Sequence, residues 1–274
     1  MAHSGPIGVF DSGIGGLSVA RHICARLPNE HLIYFADSAN NPYGDKPESF
    51  IIGRSFRITE FLLSKGVKAL VVACNTATAS AIHLLRDHFK DLPIVGVEPG
   101  LKPASFKTVT SIVGVMATAR TLKSHKFHVL HQLLSQQSGV TFILQPCPGL
   151  ADLIEREDPD SPEIKASVKK YLTPLLELKA DTIVLGCTHY PFGQDTIKQL
   201  ASEMGHPELM VIDTGDAIAR QLENVLRSHG LLNTDTDTEN SKNLAIYTSG
   251  NANTTAQMTQ KLLAKEIPVK EAHF

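Results

Sequence analysis

The sequence predicts an α/β fold: two pseudo-symmetric, doubly wound domains with mostly parallel sheets and a ligand cleft between them. Three observations carry this. At 274 residues the chain exceeds a typical single domain. Short apolar runs of strand length recur, each closed by small or polar residues and followed by a helical pattern, the alternation expected of a parallel sheet. The units also repeat in order, so that the second part of the chain echoes the first.

Taken in order, the apolar runs are PIGVF before DSGIGG, HLIYFA before DSANNPYG and KALVVA before CNTATASA. They continue with TSIVGV before MATART, TFILQ before PCPGLAD, DTIVLG before CTHYPF and LMVID before TGDAIARQL. The echo is most specific at Leu70 to Thr76 (LVVACNT), which aligns with Ile183 to His189 (IVLGCTH) and places Cys74 over Cys187. At nearly the same spacing Phe10-Asp11-Ser12 falls on Met116-Ala117-Thr118, and Phe35-Ala36-Asp37 on Ile143-Leu144-Gln145.

Glu98-Pro99-Gly100 with Pro103 marks a crossing out of the first half, and the chain returns near Met210. The expected domains are therefore residues 1–98 with 211–274, carrying Cys74, and residues 99–210, carrying Cys187. The charged stretch EREDPDSPE (155–163) and the polar stretch NTDTDTENSKN (233–243) read as solvated loops.

Composition narrows the function. With 26 basic and 28 acidic side chains the formal charge is −2, which supplies no electrostatic footprint for direct nucleic-acid binding or for an anionic membrane. The opening MAHSGPIGVF lacks a basic, apolar leader, and no later run approaches a membrane span. A cytoplasmic enzyme with a small-molecule substrate is expected. The four cysteines, Cys24, Cys74, Cys147 and Cys187, are too few and too far apart for a disulfide scaffold.

Cys74 and Cys187 carry the chemistry. A cysteine at a strand end and helix start is favoured as thiolate by the N–H groups and dipole of the helix. Inverting a carbon that bears hydrogen requires one base to take the proton and another to return one to the opposite face, because a single base tends to give back its own. Two equivalent thiols meet that demand without metal or other cofactor. Asp11, directly after an apolar run, either orients a thiol, binds an amino group or, like Ser12, caps a helix. Gly13, Gly15 and Gly16 form a carboxylate nest or a tight turn. His189, two residues after Cys187, is placed to assist that thiol. Cys24 reads as a small buried hydrophobe, and His125, His128 and His131 as surface residues of a helix.

These residues lie in motifs that resemble the bacterial glutamate racemases over nearly the whole chain: GVFDSGIGGLSV (8–19), NPYG (41–44), VVACNTATA (71–79), VGVEPG (95–100), ATARTL (117–122), CPGLADLIE (147–155) and LGCTHYPF (185–192). The last discriminates best, because related aspartate racemases usually differ after the Cys-Thr pair. The resemblance implies that Cys74 takes the proton from D-glutamate and Cys187 from L-glutamate, assisted by Asp11 and His189 respectively. It also implies a substrate pocket lined by Asp11, Ser12, Tyr43, Gly44, Asn75, Thr76, Thr188 and His189, with Thr118 and Thr121 nearby and Glu155 contacting the amino group. The implied role is supply of D-glutamate for peptidoglycan without pyridoxal phosphate, metal or nucleotide. Two departures stand out: Ser38 where Thr is common, and the less apolar Gly149-Leu150-Ala151-Asp152 after Cys-Pro. Racemisation of aspartate or another amino acid, passive amino-acid binding and topoisomerase inhibition are the alternatives, and a homodimer is left open as the assembly.

Overall fold

The computed structural model describes residues 5–158, 160–233 and 244–274. The expectations placed on residues 1–4 and on the polar stretch 234–243 lie outside the described residues. Two compact units are present, one formed by Met1–Val97 with Gly215–Phe274, the other by Glu98–Thr214.

The first unit runs β1 (Ile7–Asp11), α1 (Leu17–Arg26), β2 (Leu32–Ala36), α2 (Glu48–Ser64), β3 (Ala69–Val72), α3 (Asn75–His88) and β4 (Ile94–Gly96). The second runs α4 (Leu101–Lys107), β5 (Ile112–Ala117), α5 (Ala119–Lys123), α6 (His125–Ser138), β6 (Thr141–Pro146), α7 (Leu150–Arg156), α8 (Pro162–Glu177), β7 (Thr182–Gly186), α9 (Gln194–Glu203) and β8 (Met210–Ile212). The chain then completes the first unit with α10 (Gly215–Ser228), β9 (Leu244–Thr248), α11 (Ala252–Leu263) and β10 (Val269–Glu271). The described strand pairs are all parallel.

The first sheet is ordered β10-β9-β2-β1-β3-β4 and the second β6-β5-β7-β8. With β1 matched to β5, β2 to β6 and β3 to β7, the inner order is the same in both units. Those are the correspondences on which the sequence echo rests. Its physical origin is the apolar strand flanked by helices: β1, β3 and β7 are buried at every position, so each must be covered on both faces.

The return to the first unit falls at Gly215, four residues later than the expected start at 211. Val211 pairs with Ile183 and Ile212 with Val184, so β8 completes the second sheet and holds Asp213 and Thr214 with it. At the other junction Glu98 goes with the second unit, where it pairs with Lys126. Strands β4, β9 and β10 were not read from the sequence. The stretch 155–163 is also less of a loop than expected. Glu155 and Arg156 end α7, while Ser161 caps α8, its Oγ accepting from the Ile164 N–H at 3.3 Å, with Pro162 opening the helix.

Local signals set the remaining ends. Ser124 caps α6, and Gly139 closes it at φ +69°, a left-handed position suited to glycine. The histidines His125 and His128 are exposed on α6 and His131 stacks on Phe127, as a helix surface should. Cys24 on α1 is only partly buried. Among the described residues no helix is long and apolar enough to cross a membrane.

Candidate active site

In the first unit the strand ends assemble one cluster. Asp11 is the last residue of β1 and is fully buried; its Oδ2 accepts the N–H groups of Gly13 at 3.2 Å and Gly16 at 3.1 Å. The glycine-rich loop is thus a carboxylate nest, and Asp11's own carboxylate sits in it. The fully buried Tyr34 fixes the same loop by donating to the Gly13 carbonyl at 2.8 Å. Because β1 and β3 are neighbours, with Phe10 paired to Val72 and the Ala73 N–H donating to the Phe10 carbonyl at 2.8 Å, this loop lies beside the residue that follows Ala73.

That residue is Cys74, 5% exposed, extended at φ −76° and ψ 121°, and the N-cap of α3. Its Sγ accepts the Ala77 N–H at 3.4 Å and donates to the Ser12 hydroxyl at 3.7 Å. Sulfur therefore occupies the position usually held by a Ser, Thr, Asp or Asn oxygen at a helix start. The arrangement favours negative charge on it, since the Ala77 amide and the amino end of α3 face the sulfur. Asn75 and Thr76 open the helix and are buried; Asn75 Oδ1 has no hydrogen-bond partner among the described residues.

Tyr43 and Gly44 lie in a short 3-10 turn at Tyr43–Asp45. The Tyr43 ring is 1% exposed and shares a buried cluster with Cys74, Phe10 and Phe35. Its hydroxyl donates to Asp37 Oδ2 at 2.5 Å. Burial above all, then the charge of Asp37, pushes the Tyr43 phenol far up, so it stays protonated. Burial alone would raise Asp37, but hydrogen bonds from Arg54, Tyr43, Asn40 and Ser249 outweigh it and hold the carboxyl below its usual range. Neither Asp37 nor Arg54 was singled out in the sequence. Asp37 carries a usable signal, since it follows β2 as Asp11 ends β1; Arg54, inside the helical run of α2, carries none.

The second unit repeats the theme with different partners. Cys187 follows β7 directly and is 8% exposed. Its Sγ lies 3.8 Å from His189 Nδ1, and His189 Nε2 lies 2.6 Å from Glu155 Oε2. The histidine and carboxylate are 2% and 8% exposed as side chains. Burial pulls the His189 imidazole down, yet hydrogen bonds to Cys187 and Glu155 and their charges overcome it, and it titrates well above the usual histidine range. The result is an imidazolium held between thiol and carboxylate. Glu155, implied to meet a ligand's amino group, thus has one oxygen committed to His189. Thr188 is buried beside it.

Thr118 follows Ala117, the residue paired with Gly186 at the end of β5, and caps α5: its Oγ1 accepts the Thr121 N–H at 3.2 Å and donates to Thr121 Oγ1 at 3.0 Å. Burial, followed by the nearby Cys187, pushes the Cys147 thiol up and keeps it neutral. The buried phenol of Tyr190 donates to the Cys147 carbonyl at 3.3 Å, and Tyr171 donates to the neighbouring Pro148 carbonyl at 2.7 Å. Both anchor the turn that launches α7 and hence Glu155. A cavity of about 280 Å³ in this unit is lined by Thr110, Asp181, His206 and Leu209 at the amino ends of β5, β7 and β8, the sheet edge opposite Cys187. Among the described residues no three His, Cys, Asp or Glu side chains converge to hold a metal ion.

Residues 15–222 match the family model described as Asp/Glu/Hydantoin racemase. The chain belongs to that family. Within the family, it is 54% identical over 226 residues to a glutamate racemase of Cupriavidus pinatubonensis, covering 82% of this chain and 80% of the relative. Against a glutamate racemase of Pseudomonas aeruginosa it is 50% identical over 229 residues, covering 84% of each. Among solved structures it resembles a glutamate racemase of Bacillus anthracis with a TM-score of 0.86 and 29% identity over 99% of this chain and 98% of the other. The Escherichia coli glutamate racemase in complex with L-glutamate and the activator UDP-MurNAc-ala matches with a TM-score of 0.79 and 32% identity, over 97% of each chain. The resemblance read from the motifs and the α/β class of the fold are both borne out.

Proposed function

We propose that this chain is a glutamate racemase, interconverting L- and D-glutamate with Cys74 and Cys187 as the two proton-transfer groups and supplying D-glutamate for peptidoglycan. The observation that carries the reading is the equivalence of the two cysteines. Each follows the matching strand of its own unit, each stands at a helix or turn start, and each has a polar partner, Ser12 for one and His189 for the other. Identity of 54% to a glutamate racemase supports the choice of substrate.

In the L-to-D direction Cys187 is the thiolate. The His189 imidazolium stabilises it, and Glu155 stabilises the imidazolium. The α-proton passes to the Cys187 sulfur, and the Cys74 thiol gives its own proton to the other face of the carbon, leaving a thiolate under the Ala77 amide. The D-to-L direction reverses these roles. The buried Asn75 Oδ1 is an acceptor suited to the substrate's ammonium, while Thr76 and Thr188 offer hydroxyls to its carboxylates. The hydroxyls of Thr118 and Thr121, bonded to each other, lie after β5, the strand neighbouring the one that carries Cys187.

The test is a circular-dichroism time course on L-glutamate without added cofactor, run in deuterium oxide. Decay of the signal with incorporation of solvent deuterium at the α-carbon is expected. Cys74→Ala and Cys187→Ala are each expected to abolish racemisation in both directions, because every turnover uses both sulfurs. Full activity in either variant overturns the two-thiol mechanism.

A further inference from the structure

Asp37 is a fully buried carboxylate at the end of β2, held by a fork: Arg54 Nη2 donates to Oδ1 at 2.7 Å and Arg54 Nε to Oδ2 at 3.0 Å. Asn40 adds a third bond to Oδ1 at 3.0 Å. The remaining strong contact of Oδ2 is the Tyr43 hydroxyl. On its far side Arg54 is fixed twice by one residue. Its Nη1 donates to the Phe274 carbonyl at 3.0 Å, and its guanidinium carbon lies 5.0 Å from the Phe274 ring centroid. That ring stacks on Phe61 at 5.3 Å and packs against Phe35 at 5.3 Å.

Apolar side chains of similar volume often stabilise a core as well as a buried ion pair does, so such a pair is weak evidence of a stabilising role. What this one supplies is direction. A planar fork admits one orientation of the carboxylate, and the carboxylate then admits one orientation of the phenol. The phenol ring packs in the same buried cluster as the Cys74 sulfur. We propose that Arg54 and Phe274 are positioning residues for the Cys74 half of the reaction, acting through Asp37 on the Tyr43 ring that walls the sulfur. Residues far from the reacting atoms thereby set the line along which the Cys74 proton travels. The inference rests on the reading of Cys74 as one of two proton-transfer groups.

The experiment compares wild type, Arg54→Lys, Phe274→Ala and Phe274→Tyr as full-length proteins, with kcat and KM for each enantiomer and the isotope effects of α-deuterated D- and L-glutamate. Arg54→Lys keeps the charge but loses the fork, and kcat/KM is expected to fall about 10- to 100-fold. In both Arg54→Lys and Phe274→Ala the isotope effect on D-glutamate, whose proton Cys74 would remove, is expected to rise while that on L-glutamate falls. Phe274→Tyr, which retains the ring, restores the wild-type pattern. Isotope effects that change equally in the two directions, or not at all, overturn the inference and leave the racemase reading intact. A wild type that exchanges no α-hydrogen overturns the reading and the inference with it. Should Arg54→Lys fail to fold, Phe274→Ala, at a residue 39% exposed, decides alone.

Discussion

The side chain with the largest local consequence in the second unit is Glu155. A neutral His189 would serve as an acceptor, but the carboxylate at 2.6 Å favours the charged imidazole, and with it the thiolate at Cys187. Glu155→Gln removes that charge while keeping a hydrogen-bonding group. If the imidazolium is the working form, activity is lost as pH rises through the His189 pKa. The basic limb of kcat/KM for L-glutamate is therefore expected to move to lower pH in Glu155→Gln. An unmoved limb would show that the carboxylate does not set the histidine's charge. The pairing of His189 with Cys187 was legible from their spacing. Its pairing with Glu155 was not, because 34 residues separate them and the acidic run around Glu155 looks like solvated surface in the sequence.

At the level of elements, the decisive joint is the turn from β1 into α1. Gly16 has an ordinary helical φ of −63°, so it is not needed for its backbone freedom. It is needed for space: an added Cβ would lie 2.7 Å from Asp11 Cβ, 2.8 Å from the Tyr34 hydroxyl and 3.0 Å from Ala73 Cβ. Asp11 and Ala73 are short and buried on adjacent strands, so the loop itself must shift. Gly16→Ala is expected to cost about 1–3 kcal/mol, seen as a lowered thermal midpoint, and to reduce turnover by displacing Ser12 from Cys74. Unaltered melting and turnover would refute the close-packing argument. The strand-turn-helix grammar of this joint was visible in VFDSGIGGLSV. Which group fills the glycine nest was not, because an internal carboxylate and a ligand's carboxylate leave the same sequence mark. Strands β4, β9 and β10 escaped for a related reason: β4 and β10 are three residues each, and β9 borders the polar run.

For the molecule as a whole, one source of acid stability is Asp37. Its carboxyl titrates lower in the folded chain than the roughly 3.9 of an unfolded aspartate. The stability it contributes is present above that unfolded value and is lost as pH falls through the folded one. Asp37→Asn should flatten the acid limb of a denaturation profile. At neutral pH it should also destabilise by about 3–5 kcal/mol, because the guanidinium of Arg54 is left without its partner. A steep acid limb retained in the variant would locate acid sensitivity elsewhere. The echo of LVVACNT in IVLGCTH suggests two halves, but LMVID reads as a strand without showing which sheet it joins, and β8 pairs with β7 of the second.

The second unit is continuous in sequence, whereas the first is interrupted by it. Synthesis runs from amino to carboxyl end, and domains tend to fold as units while the chain emerges. Residues 98–214 can therefore complete their sheet while the first sheet still lacks β9 and β10. Arg54, Asp37 and Tyr43 are made early but wait for Phe274, so the clamp behind Cys74 closes only after the whole second unit has been made.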